Sequence, residues 1–189
     1  MIESLGNLDK EFILWLDRHH TPVGEFIFYW TSDKWIWIPF YIWLLYLLFK
    51  HRKNELKYIL PSVFVLILMT DQISSGIIKE FAHRLRPCQD PYLAPQLHLI
   101  DGICGGKYGF VSSHAANTFG LVYFIEQLLK DKYSRLSIIL PVWATFVSFS
   151  RVYLCVHYLT DVIGGAMVGI LIAQLITYFY NKITLAPNQ

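Results

Sequence analysis

The stretch from Ser150 to Asp161 reads SRVYLCVHYLTD and separates two long apolar segments. Arginine, histidine and aspartate are costly at a membrane boundary, so their occurrence together indicates a site rather than a plain span. His157 and Asp161 are four residues apart, which puts them on one face of a helix that starts here and lets the carboxylate hold the imidazole. The imidazole can then act as a nucleophile or base, and Arg151 offers a planar fork for an oxyanion. Alternatively, the arginine and histidine are interfacial side chains and Asp161 caps a helix.

The composition indicates a membrane protein. Of the 189 residues, 54% are hydrophobic and 16% are charged, whereas about a quarter are charged in a typical soluble domain. We therefore expect residues 1–189 to form a single integral-membrane domain. A net charge of +2 without a long basic run argues against a nucleic-acid partner. The N-terminal residues lack the basic-then-apolar pattern of a cleavable signal peptide.

Five apolar segments predict the membrane-spanning helices of an all-α polytopic bundle over residues 35–180. They are residues 35–49, 58–78, 114–129, 136–155 and 161–180. A short aromatic segment, residues 24–31, is too short to span alone, and it could be a re-entrant half-helix or part of a sixth span.

Residues 1–31 are expected to lie in the membrane interface. Within residues 8–20, a helix would gather apolar side chains on one face, namely Leu8, Phe12, Trp15 and Leu16. The charged side chains lie elsewhere on that helix: Asp9, Lys10, Asp17 and Arg18. This pattern is typical of an amphipathic interfacial helix.

The basic loops orient the predicted bundle. Residues 50–57 and 130–135 are short and rich in lysine and arginine, so the positive-inside rule places both in the cytoplasm. With alternating spans, the polar loop at residues 79–113 and the stretch around His157 then share the outer face. We therefore expect a multi-pass protein of the plasma (inner) membrane whose active site faces the periplasm or the outside.

A second motif ends the second predicted span. It reads Lys79-x6-Arg86-Pro87, and its two cations lie close enough to converge on one anion. Taken alone, two cations at a helix end are more often interfacial anchors than an anion site.

A third motif, Val111-Ser112-Ser113-His114, opens the third predicted span. Free backbone N–H groups and the helix dipole make such a terminus an anion site. Ordinary serine N-capping also suits Ser112 or Ser113, but it does not explain the histidine. Together the three motifs supply cations, two histidines, a carboxylate and a helix N-terminus, which is the set that phosphoryl transfer needs.

In order along the chain, these motifs resemble the three-part signature of the type-2 phosphatidic acid phosphatase superfamily. The resemblance covers residues from about 58 to 180. The second motif departs from the family pattern, which usually reads P-S-G-H where this chain has Val111-Ser112-Ser113-His114. The departure puts the loop geometry and the approach of the residue-113 amide to phosphate in question, but it keeps the histidine.

The resemblance implies a role for each matching residue. His157 would be the nucleophile that forms a phosphohistidine, and Asp161 would orient it. His114 would protonate the leaving group and then activate water. The phosphoryl oxygens would be bound by Lys79, Arg86 and Arg151, assisted by Ser112 and the amide of Ser113. The family needs no metal or other cofactor.

Residues near the motifs could support the site. Asp71, Ser75 and Lys79 are spaced by four, which predicts a polar stripe along the second span with Asp71 in a supporting role. His83 and Arg84 could extend the anion site, or they could be solvated loop residues.

Three further features concern packing and cross-linking. Cys88 and Cys104 share the outer loop, where a disulfide would brace the chain beside Arg86. Cys155 is interpreted as a plain membrane residue. The Gly165-x3-Gly169 pattern is expected to pack helices within the bundle.

The substrate class that fits is a lipid phosphate whose tail stays in the membrane. Undecaprenyl diphosphate, phosphatidylglycerol phosphate, phosphatidic acid and lipid A phosphate are the candidates, with a preference for a carrier lipid or lipid A phosphate on the outer leaflet. Two alternatives remain at this point. One is a phosphotransferase that passes the phosphoryl group to an acceptor other than water, and the other is a non-catalytic membrane module that binds lipid phosphates. A haloperoxidase is disfavoured because those relatives are soluble.

Overall fold

The computed structural model describes residues 2–185, and within these residues every regular element is a helix, as predicted. The α-helices are α1 Ile2–Arg18, α2 Pro22–Ser32, α3 Ile38–Arg52, α4 Leu56–Asp71, α5 Lys79–Ala82, α6 Ser113–Leu129, α7 Leu136–Tyr153 and α8 Leu159–Leu185. A π-helical segment, Gln72–Ile78, joins α4 to α5. Short 3-10 turns lie at Lys34–Trp37, Lys53–Glu55, Pro87–Gln89, Ala94–Gln96 and Ile100–Gly102.

Three helical runs of the described chain are long and apolar enough to cross a membrane. They are Lys34–Ala82, Leu136–Tyr153 and Leu159–Thr184. The first run is interrupted at Arg52, whose φ of −133° and ψ of 28° lie outside the helical region, so α3 and α4 are distinct helices. With 17 residues, α6 is one residue shorter than the shortest of these runs, which has 18. A membrane bundle is therefore supported, and the count of five or six crossings stays a prediction.

The central helix of the bundle is α6, which packs against α4, α7 and α8. Its core side chains, such as Phe124 and Leu129, are fully buried. The outward surfaces of the surrounding helices instead expose large apolar side chains, among them Phe64, Ile138 and Leu171. A surface of this kind is unfavourable in water and suits contact with lipid.

Two glycines of α8 allow it to approach α6 closely. A Cβ atom at Gly165 would collide with the carbonyl oxygen of Ser112, and one at Gly169 would collide with that of Ala116. Small residues at such a contact let two helix backbones meet. The prediction that this pattern packs helices within the bundle is confirmed.

The first helix lies against the bundle in an orientation that the sequence analysis predicted only in part. Ile13 and Leu16 are buried, whereas Leu8 and Trp15, which were grouped with Leu16, are exposed. Asp9 was placed on the polar face, but it is only 5% exposed because it pairs with Arg84 of the loop between α5 and α6. The helix therefore has one apolar strip on the bundle and another that is free to contact lipid.

The aromatic segment at residues 24–31 forms most of α2. This helix begins after Thr21, whose side chain accepts a hydrogen bond from the Gly24 N–H, and it packs against α7. Its 11 residues extend about 16 Å at 1.5 Å per residue, which is about half of the hydrocarbon thickness. On its own it cannot cross the membrane, as expected.

The loop between α5 and α6 is closed by contacts between its two ends. Arg86 N–H donates to the Lys107 carbonyl at 3.3 Å, and Gly109 N–H donates to the Arg84 carbonyl at 2.8 Å. A disulfide joins Cys88 to Cys104, with the Cα atoms 5.7 Å apart. The loop is thus held beside the bundle, and the positions of its arginines relative to the bundle are fixed.

Candidate active site

The turn between α7 and α8 carries His157 and fixes it against the first turn of α8. His157 N–H donates to the Arg151 carbonyl at 3.1 Å. Asp161 is fully buried, and its Oδ2 lies 3.3 Å from His157 Nδ1. The same oxygen accepts a hydrogen bond from the Tyr158 N–H at 3.0 Å. The structure therefore brings together the two residues that the four-residue spacing paired.

The other ring nitrogen of His157 faces a cation. Arg86 Nη1 lies 3.0 Å from His157 Nε2, and Arg86 Nε donates to the Tyr108 carbonyl at 3.1 Å. Burial, followed by the charge of Arg86, lowers the pKa of His157 well below its ordinary value. The imidazole is therefore neutral at pH 7. With Nδ1–H directed at Asp161, the lone pair of Nε2 points toward the Arg86 guanidinium.

A second arginine of the loop links the carboxylate of Asp161 to α1. Arg84 Nη1 lies 2.8 Å from Asp161 Oδ1, and Arg84 Nη2 lies 2.6 Å from Asp9 Oδ2. Thr160 contributes to the same group, since its hydroxyl and its backbone N–H both donate to Asp9. The Arg84 guanidinium also stacks over the Tyr158 ring, with 4.2 Å between its central carbon and the ring centroid.

The sequence analysis named Arg84 as a supporting residue, but it missed Asp9 and Thr160. Asp9 lies at a charged position of an amphipathic helix, where a solvated carboxylate is the usual outcome. No local pattern connects it to a loop 75 positions later in the chain. The threonine before Asp161 offered the one available signal, because a hydroxyl next to a buried carboxylate often joins its hydrogen-bond network.

Lys79 is held at the site by Ser113, the residue that departs from the family motif. Its Nζ lies 2.8 Å from the Ser113 hydroxyl and 3.4 Å from the Ser75 hydroxyl, and the two hydroxyls lie 2.7 Å apart. The predicted stripe is thus present at Ser75 and Lys79. The hydroxyl that replaces a glycine hydrogen at Ser113 fixes the lysine ammonium.

Ser112 serves as the N-cap of α6. Its side chain accepts a hydrogen bond from the Ala115 N–H at 3.4 Å, and its own N–H donates to the Asp161 carbonyl at 2.9 Å. The capping role considered for this serine is confirmed, and the same residue also holds the α6 N-terminus against the start of α8, while its part in phosphate binding stays a prediction.

His114 and Arg151 complete the cluster. His114 is exposed at the start of α6, and the charges of Arg151, Arg86 and Lys79 all act on its ring. Arg151 Nε is buried and has no hydrogen-bond partner among the described residues. An exposed imidazole beside a set of cations is placed to exchange a proton with a bound anion.

Two of the supporting residues make no direct contact with this cluster. His83 is exposed and packs edge-on against Tyr108, with 4.9 Å between the ring centroids. Asp71 ends α4, where its carbonyl accepts a hydrogen bond from the Ser74 hydroxyl at 3.3 Å. The charge of Asp71 acts on Lys79 from a distance. Of the three supporting residues, Arg84 is the one that touches the catalytic candidates.

A groove with a mainly apolar lining opens beside Arg84, between α1 and the ends of α5 and α8. Its volume is about 530 Å³, and its lining consists of Leu5, Gly6, Asp9, Ala82, Arg84, Phe110 and Thr160. A cavity of this size accommodates part of a lipid rather than a whole one.

Comparison with known proteins gives concordant results. Residues 60–185 match the PAP2 superfamily. The chain is 34% identical over 188 residues to the lipid A 4'-phosphatase of Bacteroides thetaiotaomicron. This alignment covers 97% of this chain and 82% of the relative. The chain is also 31% identical over 186 residues to the lipid A 4'-phosphatase of Porphyromonas gingivalis. That alignment covers 96% of this chain and 77% of the relative.

The fold also has a counterpart among solved structures. The transmembrane PAP2 type phosphatidylglycerolphosphate phosphatase from Bacillus subtilis superposes with a TM-score of 0.73, covering 96% of this chain and 88% of that chain. The sequence identity is 22%, so this similarity concerns the fold alone.

Proposed function

Because the chain belongs to the PAP2 superfamily and is a membrane lipid phosphatase of that type, we propose that it removes a phosphate from a lipid A-type glycolipid through a phosphohistidine at the outer face of the membrane. The observation that carries the proposal is the arrangement around one imidazole. His157 Nδ1 is held by Asp161, and His157 Nε2 faces Arg86. The family membership argues against the non-catalytic alternative.

In the first step His157 Nε2 attacks phosphorus, forming a P–N bond as the P–O bond to the sugar breaks. Asp161 stabilises the positive charge that develops on the ring through its contact with Nδ1. His114, which takes up a proton when the anionic substrate binds beside it, gives that proton to the leaving sugar oxygen. General acid catalysis of this kind contributes about 10²- to 10⁴-fold to the rate.

In the second step a water molecule replaces the sugar oxygen. His114, now neutral, takes a proton from the water as it attacks phosphorus, and the P–N bond breaks. Inorganic phosphate leaves, and both histidines return to their starting states. The acid of the first step is thus the base of the second.

Three cations would stabilise the phosphoryl oxygens in both steps. Arg86 already contacts the attacking nitrogen, and Lys79 is fixed by Ser113. The buried Nε of Arg151 has a free donor that a phosphoryl oxygen would satisfy. Fixed donors aimed at developing charge are the largest contribution in reactions of this class.

The choice of lipid rests on two supports. The two relatives that share about a third of their residues with this chain are lipid A 4'-phosphatases, and each aligns over nearly the whole chain. The groove beside Arg84 is lined mainly by apolar groups, which suits the hydrocarbon part of an amphiphilic substrate.

The outer face is favoured by charge and by redox chemistry. The basic loops 50–57 and 130–135 lie at the cytoplasmic ends of their helices if the positive-inside rule holds. The Cys88–Cys104 disulfide lies on the loop beside the site. Disulfides persist in oxidising compartments and are rare in the cytosol, so the same assignment follows from an independent argument.

The test is phosphate release by the purified protein from a panel of lipids, with EDTA present. The panel contains bis-phosphorylated lipid A, undecaprenyl diphosphate, phosphatidylglycerol phosphate and phosphatidic acid. We expect the highest kcat/KM on lipid A. His157→Ala should lower the rate at least about 10³-fold, whereas His98→Ala, in the same outer loop, should not.

Brief reaction with ³²P-labelled substrate should leave an acid-labile, base-stable label on the wild-type protein and none on His157→Ala. For His114→Ala, an aryl phosphate, whose leaving group needs no proton, should restore formation of the phosphohistidine but not its hydrolysis, so the ³²P label should accumulate on this variant. Turnover that survives in His157→Ala would show that another residue is the nucleophile. Loss of the lipid phosphate only when an acceptor alcohol is added, with the phosphorylated alcohol as the product, would favour the phosphotransferase.

A further inference from the structure

Three potential metal ligands from separate parts of the chain meet near the catalytic turn. They are a carboxylate oxygen of Asp17, a ring nitrogen of His20 and the Sγ atom of Cys155, and all three atoms lie within 4.8 Å of one another. Asp17 is at the end of α1, His20 is in the turn before α2, and Cys155 is in the turn that leads to His157. None of these residues takes part in the phosphoryl-transfer cluster.

His20 is the most unusual member of the group, because its imidazole is buried without a partner. Its side chain is 5% exposed, and neither ring nitrogen has a hydrogen-bond partner in the part of the chain that the structure describes. Buried polar atoms are nearly always bonded, and each exception calls for a physical explanation. The nearest carboxylate oxygen is Glu25 Oε1, which lies 3.8 Å from Nδ1.

Cys155 is held in a conformation that a cysteine rarely adopts. Its φ is +54°, in the left-handed region, where a residue with a Cβ atom is disfavoured. Its buried Sγ lies 3.8 Å from Asp17 Oδ1. This separation is close to that of a sulfur and an oxygen bound to one tetrahedral Zn²⁺, given ligand bonds of about 2.3 Å and about 2.0 Å.

The three side chains are positioned by neighbours that would keep a bound ion in place. The His20 ring stacks on Tyr153, with 4.3 Å between centroids and 17° between planes. The Tyr153 hydroxyl accepts a hydrogen bond from the Thr21 N–H at 3.2 Å. Asp17 Oδ1 accepts one from the His98 N–H at 3.0 Å. A ligand set fixed in this way loses little conformational entropy on binding.

We propose that Asp17, His20 and Cys155 bind a divalent transition-metal ion, with Zn²⁺ as the ion that best fits a sulfur, nitrogen and oxygen set. His20 Nε2 is the ligand atom, since Nδ1–H then points toward Glu25 in the carboxylate–histidine arrangement that is common around zinc. Binding converts the thiol to a metal-bound thiolate and releases its proton to solvent. A water molecule takes the fourth position.

The ion would act as a structural clamp. It joins the end of α1 and the α1–α2 turn to the turn that carries the nucleophile, which is two residues after Cys155. It has no part in the phosphoryl transfer described above. Its contribution is to the stability of the N-terminal region against the bundle.

The test uses the full-length protein in detergent, stripped of metal with a chelator and then titrated with Co²⁺. Thiolate ligation to Co²⁺ gives a sulfur-to-metal charge-transfer band in the near ultraviolet. We expect one equivalent to bind with this band, Zn²⁺ to displace it, and Zn²⁺ to raise the Tm in proportion to the logarithm of its concentration. Cys155→Ser should lose the band, and His20→Gln should weaken binding at least tenfold.

His19→Gln is the matched control. His19 is the neighbouring histidine, it is exposed, and its Nδ1 already contacts the Trp15 carbonyl at 2.7 Å. This variant should bind Co²⁺ like the wild type. Equal loss of binding in His19→Gln and His20→Gln, or binding without the thiolate band, would overturn the proposal.

The outcomes are distinguishable from those of the phosphatase assay. Metal content and the cobalt spectrum are read without any substrate. If EDTA lowers wild-type activity but leaves the activity of Cys155→Ser unchanged, the loss is traced to the clamp. If EDTA abolishes turnover in both proteins, the metal-independent mechanism is wrong, and the cobalt titration still decides whether the clamp exists. A metal-stripped protein that takes up no Co²⁺ or Zn²⁺ at tenfold molar excess would refute the clamp alone.

Discussion

Asp9 on α1 and Asp161 on α8 share one guanidinium group, because Arg84 lies 2.6 Å from the first carboxylate and 2.8 Å from the second. The other oxygen of Asp161 contacts the imidazole of His157. Helix α1 thus contributes to the position of the carboxylate that orients the proposed nucleophile. A helix that seemed from its sequence only to rest on the membrane is connected to the chemistry through two ion pairs.

The first prediction concerns Asp9→Asn. This change keeps the shape of the side chain but removes the charge that balances Arg84, whose guanidinium would then bind Asp161 alone and draw it away from His157. We expect kcat to fall about tenfold, equivalent to about 1.4 kcal/mol of transition-state stabilisation, with little change in KM. Steady-state kinetics on the preferred lipid measures both parameters.

Asp90→Asn is the matched control for Asp9→Asn. Asp90 also binds α1, through Lys10 at 2.8 Å, but it has no contact with Arg84 or with Asp161 among the contacts of the described residues. A loss of kcat in Asp90→Asn as large as that in Asp9→Asn would mean that docking of α1 matters, and not the charge on Arg84.

The second prediction concerns the departure from the family motif. Ser113→Gly restores the family residue and removes the hydroxyl that holds Lys79 at 2.8 Å. We expect KM to rise by about two- to tenfold, since a hydrogen bond of this kind contributes about 0.5–1.5 kcal/mol. Ser75→Ala removes the other hydroxyl near Lys79, at 3.4 Å, and should have a smaller effect. An increase of kcat/KM in Ser113→Gly would show that the serine impairs phosphate binding.

The helical class, the main apolar segments and the pairing of His157 with Asp161 could be predicted because each depends on local spacing. Apolar runs identify helices, and a separation of four residues puts two side chains on one face. The contact of Lys79 with Ser75 could be predicted in part from the same spacing of four residues. These features need no knowledge of how distant segments meet.

The role of Asp9 and the cluster at Cys155 could not be predicted, because they depend on how α1 docks. From the sequence, Asp9 is most simply interpreted as a solvated carboxylate. Cys155 is most simply interpreted as an ordinary membrane cysteine. The orientation of α1 is decided by contacts of Ile13 and Leu16 with the bundle, and a helix with apolar residues on two sides has two acceptable orientations. The tertiary contacts select one of them.

The third prediction concerns the disulfide between Cys88 and Cys104. It closes a loop with a sequence separation of 16, for which the loop-entropy account gives about 3 kcal/mol. Replacing both cysteines by alanine should lower the Tm and also raise KM, because Arg86 lies beside the bridge. Reduction of the wild type should reproduce both effects and should leave the double variant unchanged. If reduction left the wild-type Tm unaltered, the bridge would not stabilise the fold.

The fourth prediction concerns the contact of α8 with α6. Gly169→Ala puts a Cβ against the Ala116 carbonyl, a backbone atom that cannot rotate away. Overpacking of this kind costs about 1–3 kcal/mol, so the temperature of aggregation in detergent should fall. Gly6→Ala is the control, since nothing lies within 4 Å of a Cβ atom there, and it should not lower that temperature. Equal stability of the two variants would contradict the helix contact.

The fifth prediction concerns pH. Partial burial of Asp90 is outweighed by hydrogen bonds from Lys10, Tyr92 and Leu93, and the pKa of its carboxyl is lowered. A lowered pKa in the folded state means that the ionised carboxylate stabilises the fold above its unfolded pKa of about 3.9. The contribution is lost as the pH falls through the folded pKa.

The Tm of the wild type should therefore exceed that of Asp90→Asn by a constant amount from pH 7 to pH 5. The difference should shrink below about pH 4. The difference in Tm will be small, because an ion pair that is partly open to solvent contributes about 1 kcal/mol or less. A difference that is largest at pH 4 and smaller at pH 7 would have the wrong sign.

Because Asp9 and Asp161 together neutralise Arg84, the other cations around His157 are left with an excess of positive charge toward the substrate. Inorganic phosphate, the product, carries nearly the same charge as the group that is transferred. A cluster that attracts one will also retain the other. Product release is therefore opposed by the same interactions that speed capture, and the enzyme would turn over more slowly where inorganic phosphate is abundant.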